Sequence, residues 1–371
     1  MSLTMRAAVM TAVGRIEIRE VELADPRSTE VLVKIGATAV CHSDLNTLMD
    51  PTSPVPQVLG HEGAGTVVAV GEAVTTCAVG DKVALSWVPA CGTCAFCAAG
   101  KVHLCESAFG PMFDGTLMDG TTRLTLDGQT CYHSSLLSTF AEYAVVPQMS
   151  CVPLPAQMPL DQASMIGCGV ATGFGAAVRA ARVEPGSSVA VFGIGGVGVN
   201  AIQAARLAGA RTIIACDIKD DNLVQAAAFG ATHALNTGAG DVPAAIRELT
   251  DGLGVDYAID CTGNTRVGSI AWQSARKGST TVVVGAYPAD GELTLPSGGF
   301  HRLGKAVKGT FYGDVNPMRD FRMIAGLSLE GRYDLASLVI EKIGLDDIQG
   351  AFDAFHDPAA RNLGRYVVVF D

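Results

Sequence analysis

An α/β fold is predicted, a doubly wound parallel sheet joined to a second, mostly β domain, and three observations predict it. Apolar strands alternate with Ala- and Leu-rich helical segments from about residue 170 to 312. The opening 150 residues are instead short β-branched runs separated by Gly, Pro and Asp. The 371 residues are enough for two separate cores.

The β-rich part comes first, in RAAVM (6–10), RIEIREVEL (15–23), EVLVKIGATAV (30–40), GTVVAV (65–70) and DKVALSW (81–87). Few convincing helices interrupt these runs. Residues 106–139 read as a long loop, suited to lining a pocket or an interface. Then the rhythm changes. SSVAVFG (187–193) has the unbroken apolar character of a strand buried on both faces, and GGVGVNAIQAARLAGA (195–210) follows at helical spacing. RTIIACD (211–217), DYAIDCTG (256–263) and TTVVVGA (280–286) are further strands, and DDNLVQAAAFGA (220–231) is a further helix. Past residue 312 come mixed helices and a final strand, GRYVVVF (364–370). The expected organisation is therefore one domain over 1–169 and 313–371 with a nucleotide-binding Rossmann domain, 170–312, inserted into it.

Composition removes several function classes. Hydrophobic residues make up 49% and charged residues 17%, which is the balance of a folded globular chain. A net charge of −11 with no long Lys/Arg block leaves no electrostatic footprint for nucleic acid. The most apolar stretch, 189–199, is short and broken by four glycines, so no membrane span is expected where roughly 20 residues are needed. The opening MSLTMRAAVM lacks the apolar core of an export signal, and the expected compartment is the cytoplasm, where thiols stay reduced. The eleven cysteines then need a reason other than disulfides.

Gly193, Gly195 and Gly198 form G-x-G-x-x-G between an apolar strand and a helix, with Gly196 and Val197 inside the motif. The first glycine allows a tight turn, the second lets backbone approach a pyrophosphate, and the third lets helix and strand pack. In a chain with 43 glycines the motif alone is weak. Asp217, at the end of the next strand, strengthens it, because a carboxylate there accepts ribose hydroxyls and repels a 2′-phosphate. NAD is expected rather than NADP.

Cys91, Cys94, Cys97 and Cys105 place four thiolates in one short lobe (91–105). Four sulfurs close a tetrahedral zinc site with no open position, a structural site; an iron–sulfur cluster is the rival occupant. Three other contexts stand out: VCHSD (40–44), GHEGAG (60–65) and GCGVATG (167–173). Taken singly, Cys41 or Cys168 is as well read as a core thiol, and His61 as a buried histidine with satisfied partners.

Taken together the motifs resemble the zinc-containing medium-chain alcohol dehydrogenases, in particular the liver-type and class III branch with its bacterial aryl and benzyl alcohol dehydrogenases. GHE-x2-G-x5-G is complete from Gly60 to Gly71; the cysteine lobe, STFAEYAVV (138–146), GIGGVG and GRYVVVF follow in order. The resemblance covers essentially the whole chain and implies a GroES-like catalytic domain beside the Rossmann domain. It implies two zinc ions per chain, with Cys41, His61 and Cys168 holding a catalytic one and leaving a fourth position open. Glu62 would stand behind that metal and Asp44 would orient His61. Ser43 would receive the proton of the alcohol. His42 and Arg365 would meet the cofactor pyrophosphate, Thr172 and Val197 would lie beside the nicotinamide, and Trp87 and Phe140 would line the substrate pocket.

The implied reaction is NAD-linked oxidation of primary or aromatic alcohols to aldehydes, and the reverse, by hydride transfer from a zinc-bound alkoxide. Two departures qualify it. Asn46 stands where many liver-type enzymes have a proton-passing histidine, so the relay has to run through water or a ribose hydroxyl. The class III branch carries an arginine shortly after the last lobe cysteine; here the segment reads CESAFG, with Phe109 near the spot. An S-(hydroxymethyl)thiol or polyol dehydrogenase of the same fold, or a non-catalytic zinc- and NAD-binding protein, is the alternative. A small-molecule alcohol or aldehyde and a homodimer or homotetramer are the expected partners.

Overall fold

The first strands, each partly buried, close a small barrel. The computed structural model describes residues 2–357 and 363–370. The chain divides into two compact units, residues 1–168 with 316–371, and residues 169–315.

Among the described residues of the first unit, β1 (Ser2–Ala12), β2 (Arg15–Ala24), β4 (Gln57–Val58), β7 (Leu124–Leu126) and β8 (Gln129–His133) form a closed barrel in the order β1-β2-β7-β8-β4. Beside it lies a sheet of β3 (Glu30–Ala39), β5 (Glu62–Val70), β6 (Lys82–Leu85), β10 (Cys151–Pro153), β17 (Val339–Ile343) and β18 (Arg365–Val369). Its order is β10-β6-β5-β3-β18-β17, and β9 (Tyr143–Pro147) also pairs with β3. The C-terminal strand β18 runs antiparallel to β3, so the last residues of the chain complete the sheet that starts near its beginning. Leu48, Leu59, Phe140, Phe352 and Val368 share one core.

A buried ion pair ties barrel to sheet. Arg123 lies just before β7 and grips the Glu30 carboxylate at the start of β3, and also Asp119 at 2.7 Å. Its backbone amide donates to His133 Nε2 at 3.1 Å, so that imidazole is held as a neutral acceptor. Burial, then the Arg123 charge, bring the His133 pKa down to about 3. Segment 106–139 is not a structureless loop. It holds a helix, Glu106–Asp114, and the β7–β8 hairpin, because Leu117, Leu124, Leu126 and Cys131 carry the burial pattern of a small core.

The second unit is a six-stranded sheet whose observed pairs are all parallel. It contains β11 (Ser188–Phe192), β12 (Thr212–Asp217), β13 (His233–Asn236), β14 (Val255–Asp260), β15 (Ala275–Val283) and β16 (Ala306–Gly309). The order β13-β12-β11-β14-β15-β16 reverses between β11 and β14, the doubly wound arrangement expected from sequence. The runs at 187–193 and 211–217 form its interior strands β11 and β12, and their cores, 189–192 and 213–217, are buried as continuous apolar stretches between two helix layers have to be. No helix of the described residues is long and apolar enough to cross a membrane.

Candidate metal centres and nucleotide site

The end of β3 turns at Cys41 into the helix His42–Met49, and this short stretch supplies Cys41 and Asp44 to the first centre. The Asp44 carboxylate folds back to accept the Cys41 amide at 3.0 Å, and its other oxygen meets His61 Nδ1 at 2.7 Å. His61 stands immediately before β5, and Cys168 lies in a π-helical turn, Ile166–Val170. One donor atom from each of Cys41, His61, Glu62 and Cys168 falls within 4.8 Å of the others. His61 Nε2 is buried and has no hydrogen-bond partner. A buried ring nitrogen left open beside two sulfurs is what a metal ligand looks like, since an unpaired buried acceptor is otherwise costly. The cluster fits zinc in an open Cys2His set.

The four groups perturb one another strongly. The Cys168 thiol and, against the cost of burial, the Arg365 charge hold Cys41 well below the ordinary thiol range. Its partner Cys168 is pushed up by the same pairing and by burial. Burial lowers the basicity of His61, but the charge and hydrogen bond of Asp44 together with Cys41 outweigh it and leave the imidazole well above its usual value. Burial raises Glu62 to about 7 against the pull of Arg365.

Arg365, expected on a cofactor phosphate, lies at the first centre. Its Nε and Nη2 donate to both Glu62 oxygens at 2.9 and 3.0 Å, and Nη2 lies 3.4 Å from Cys41 Sγ. Its guanidinium is committed to neutralising the acids and thiolate of the centre, and β18 pairing with β3 is what carries it there. Phe140 is corrected. Its backbone is tied to Leu59 and Ala8, and its ring, fully buried, meets Phe352 edge-on at 6.1 Å, so it fills the core and lines no pocket. Trp87 is half-buried and stands edge-on to the His61 ring, centroids 6.4 Å apart. Ser43 and Asn46 are exposed on the helix that follows Cys41, with Ser43 Oγ 3.7 Å from the Cys41 sulfur. His42 is exposed and packs edge-on against Phe355. Phe109 lies on the helix Glu106–Asp114 against Phe113.

In the lobe, Cys91, Cys94, Cys97 and Cys105 also bring their sulfurs within 4.8 Å of one another. The amides of Cys91, Cys94 and Cys97 donate to the sulfurs of Cys105, Cys91 and Cys94 at 3.2, 3.3 and 3.4 Å. Amides aimed at sulfur favour thiolate. Ser107, then the amides of Thr93 and Cys94, bring Cys91 to about 5. Four sulfurs with no open side suit a closed structural zinc.

The glycine loop in the second unit is shaped by contact. A Cβ on Gly198 would lie 1.9 Å from the Gly193 carbonyl oxygen, so helix and strand meet only without one. A Cβ on Gly195 would meet nothing within 4 Å; nothing in the protein demands glycine there, which leaves room for a phosphate to approach. Asp217 accepts the Ile194 amide at 2.6 Å, the Lys219 amide at 2.9 Å and Asn222 Nδ2 at 3.3 Å. Three of its roughly four acceptor positions are thus filled from within the protein. Asn222 escaped sequence reasoning; its place five residues after Asp217, one turn into the helix Asp220–Phe229, was the available signal. At Gly173, the residue after Thr172, a Cβ would sit 2.2 Å from the Val197 carbonyl, so the helix that holds Gly173 and the one that follows Val197 pack closely there.

Comparison with known proteins adds a consistent picture. The alcohol dehydrogenase GroES-like domain family matches residues 27–156, and the zinc-binding dehydrogenase family matches residues 196–326. The chain is 38% identical to an S-(hydroxymethyl)glutathione dehydrogenase of Paracoccus denitrificans, over 95% of this chain and 96% of that one. A solved alcohol dehydrogenase zinc-binding domain protein from Burkholderia ambifaria superposes with a TM-score of 0.95 at 38% identity, covering 100% of both chains. A benzyl alcohol dehydrogenase from Acinetobacter calcoaceticus superposes at 0.93 with 31% identity, again over 100% of both.

Proposed function

Because the chain belongs to the zinc-containing medium-chain alcohol dehydrogenases, we propose that it oxidises primary or aromatic alcohols to aldehydes, and the reverse, with NAD and two zinc ions. The observation that carries this reading is the convergence of Cys41, His61 and Cys168 around an unpartnered His61 Nε2. Cys41, His61 and Cys168 would hold the catalytic metal, and Cys91, Cys94, Cys97 and Cys105 the structural one.

Bound there, zinc supplies Lewis acidity toward an alcohol oxygen while NAD supplies the hydride acceptor. Asp44 fixes the tautomer and orientation of His61 so that Nε2 faces the donor cluster. Arg365 pulls Glu62 toward its ionised form against the effect of burial and balances negative charge gathered around the site. The Ser43 hydroxyl both accepts and donates, which suits it to take the alcohol proton and pass it on. Asn46, an amide, does not titrate and so would not itself carry the proton onward. Trp87, against His61, narrows the approach for bulky secondary alcohols and favours flat or unbranched ones. The carboxylate of Asp217 supports NAD over NADP by repelling a 2′-phosphate. Eleven free cysteines support a reducing, cytoplasmic setting, and the sheet edge at β16 supports assembly as a homodimer or homotetramer.

The identity to S-(hydroxymethyl)glutathione dehydrogenase favours a second substrate, a formaldehyde–thiol adduct. Initial rates of NAD reduction with benzyl alcohol, ethanol, sorbitol, a branched secondary alcohol and a formaldehyde–glutathione mixture decide between them. The expected order puts benzyl alcohol first. Faster turnover of the thiol adduct would select the second reading, and no turnover with two zincs bound would leave only a binding protein.

A further inference from the structure

The three strands around the switch point end in a tightly cross-braced group that the reaction chemistry leaves unexplained. Asp260, last residue of β14, pairs in register with Phe192 at the end of β11 on one side and Val283 at the end of β15 on the other. Its side chain is fully buried. One carboxylate oxygen accepts the Thr262 amide at 2.9 Å and the Thr262 hydroxyl at 2.6 Å; the other accepts the Tyr287 hydroxyl at 2.6 Å. The Asp260 carbonyl takes the amides of Val284 and Gly285 at 2.8 and 3.1 Å. One residue thus fixes two loops, 261–263 and 284–287.

These loops are pressed together without slack. A Cβ on Gly285 would lie 2.1 Å from the Gly263 nitrogen, and one on Gly263 would lie 2.6 Å from the Ala286 oxygen. The phenol of Tyr287 passes over Gly268, where a Cβ would sit 2.0 Å from its oxygen. The brace also reaches the phosphate loop, since a Cβ on Gly193 would stand 2.7 Å from the Thr262 methyl group. Burial and the Asp260 charge hold the Tyr287 phenol well above its ordinary range, so it stays a proton donor.

A doubly wound sheet binds a dinucleotide across its switch point, one mononucleotide to each half. Asp217 on β12 takes the adenosine half, which leaves the nicotinamide half to the ends of β14 and β15. We propose that Tyr287 and Asp260 form a latch that sets the backbone of 261–263 and 284–286 against the nicotinamide half of the cofactor. Tyr287 is the positioning residue. A carboxylate already gripped by Thr262 would otherwise leave the second loop tied only through its backbone. The inference deepens the proposed function and rests on its NAD site.

ADP-ribose carries every part of the cofactor except nicotinamide, and calorimetric binding of NADH and ADP-ribose to the zinc-loaded protein therefore tests the latch. Tyr287→Phe removes a single oxygen. It should weaken NADH about tenfold, the order expected for one lost hydrogen bond to a charged group, and leave ADP-ribose within about twofold. Asp260→Asn keeps one acceptor oxygen and should show a smaller loss with the same selectivity; it carries the comparison should Tyr287→Phe not fold. Wild-type protein that binds both ligands, with variants that bind both as well as wild type or lose both equally, overturns the latch alone. Wild-type protein that binds neither ligand overturns the NAD reading and the latch with it.

Discussion

Asp44 shows how far one side chain reaches at the metal centre. With one oxygen it caps the helix that begins after Cys41, and with the other it holds the His61 ring. Replacing it by alanine should leave the fold intact and lower affinity for the catalytic zinc about 10- to 100-fold, as loss of such outer partners does elsewhere. Chelator competition read by elemental analysis checks this, and a variant that keeps both zincs as tightly as wild type would reduce Asp44 to a helix cap. Arg365 teaches the converse at the same scale. The resemblance implied a phosphate partner for it; within the protein its guanidinium also closes on Glu62 and Cys41, because a buried carboxylate beside a thiol needs a cation.

At the scale of elements, the cysteine lobe is a small module with almost no core of its own: its helix Ala95–Ala98 contains no buried residue. Metal has to substitute for packing there. Cys94→Ser should remove one zinc per chain and lower the melting temperature by several degrees, on the order of a few kcal/mol of stability. The catalytic zinc should stay. Loss of both zincs on the single substitution would mean that the two centres fold as one. The lobe was legible because all four ligands sit within one short stretch of sequence. The helix Glu106–Asp114 after it was not, because Pro111 and Gly110 lie inside and local propensity argues against it. Tertiary burial of Ala108 and Met112 overrides that propensity.

The stability of the whole molecule should depend on pH through His133. Its folded pKa of about 3 lies below the ordinary histidine value of 6.5. Below about pH 6.5 the unfolded chain takes up a proton that the folded chain refuses, so stability falls as pH drops from there toward 3. His133→Asn removes this titration. Urea unfolding at pH 7, 6, 5 and 4 should therefore give a flatter decline for the variant than for the wild type, and parallel declines would show that His133 does not report on the fold. Comparing the two proteins cancels the contribution of zinc loss, which both share.

Sequence alone determined what is local. The glycine loop and Asp217 fall within one strand–helix–strand unit, the lobe within a single turn of chain, and the change of rhythm near residue 170 announces the parallel sheet. Distant convergence was readable only through the resemblance of separate motifs, since spacing carries no information about residues that meet across a fold. Tertiary structure decided which way side chains face: Phe140 into the core, Arg365 onto Glu62, Asn222 onto Asp217, Tyr287 onto Asp260. The physical reason is the same in each case. Strand pairing and close packing fix the direction of a side chain, and those contacts come from parts of the chain that its immediate neighbours do not encode.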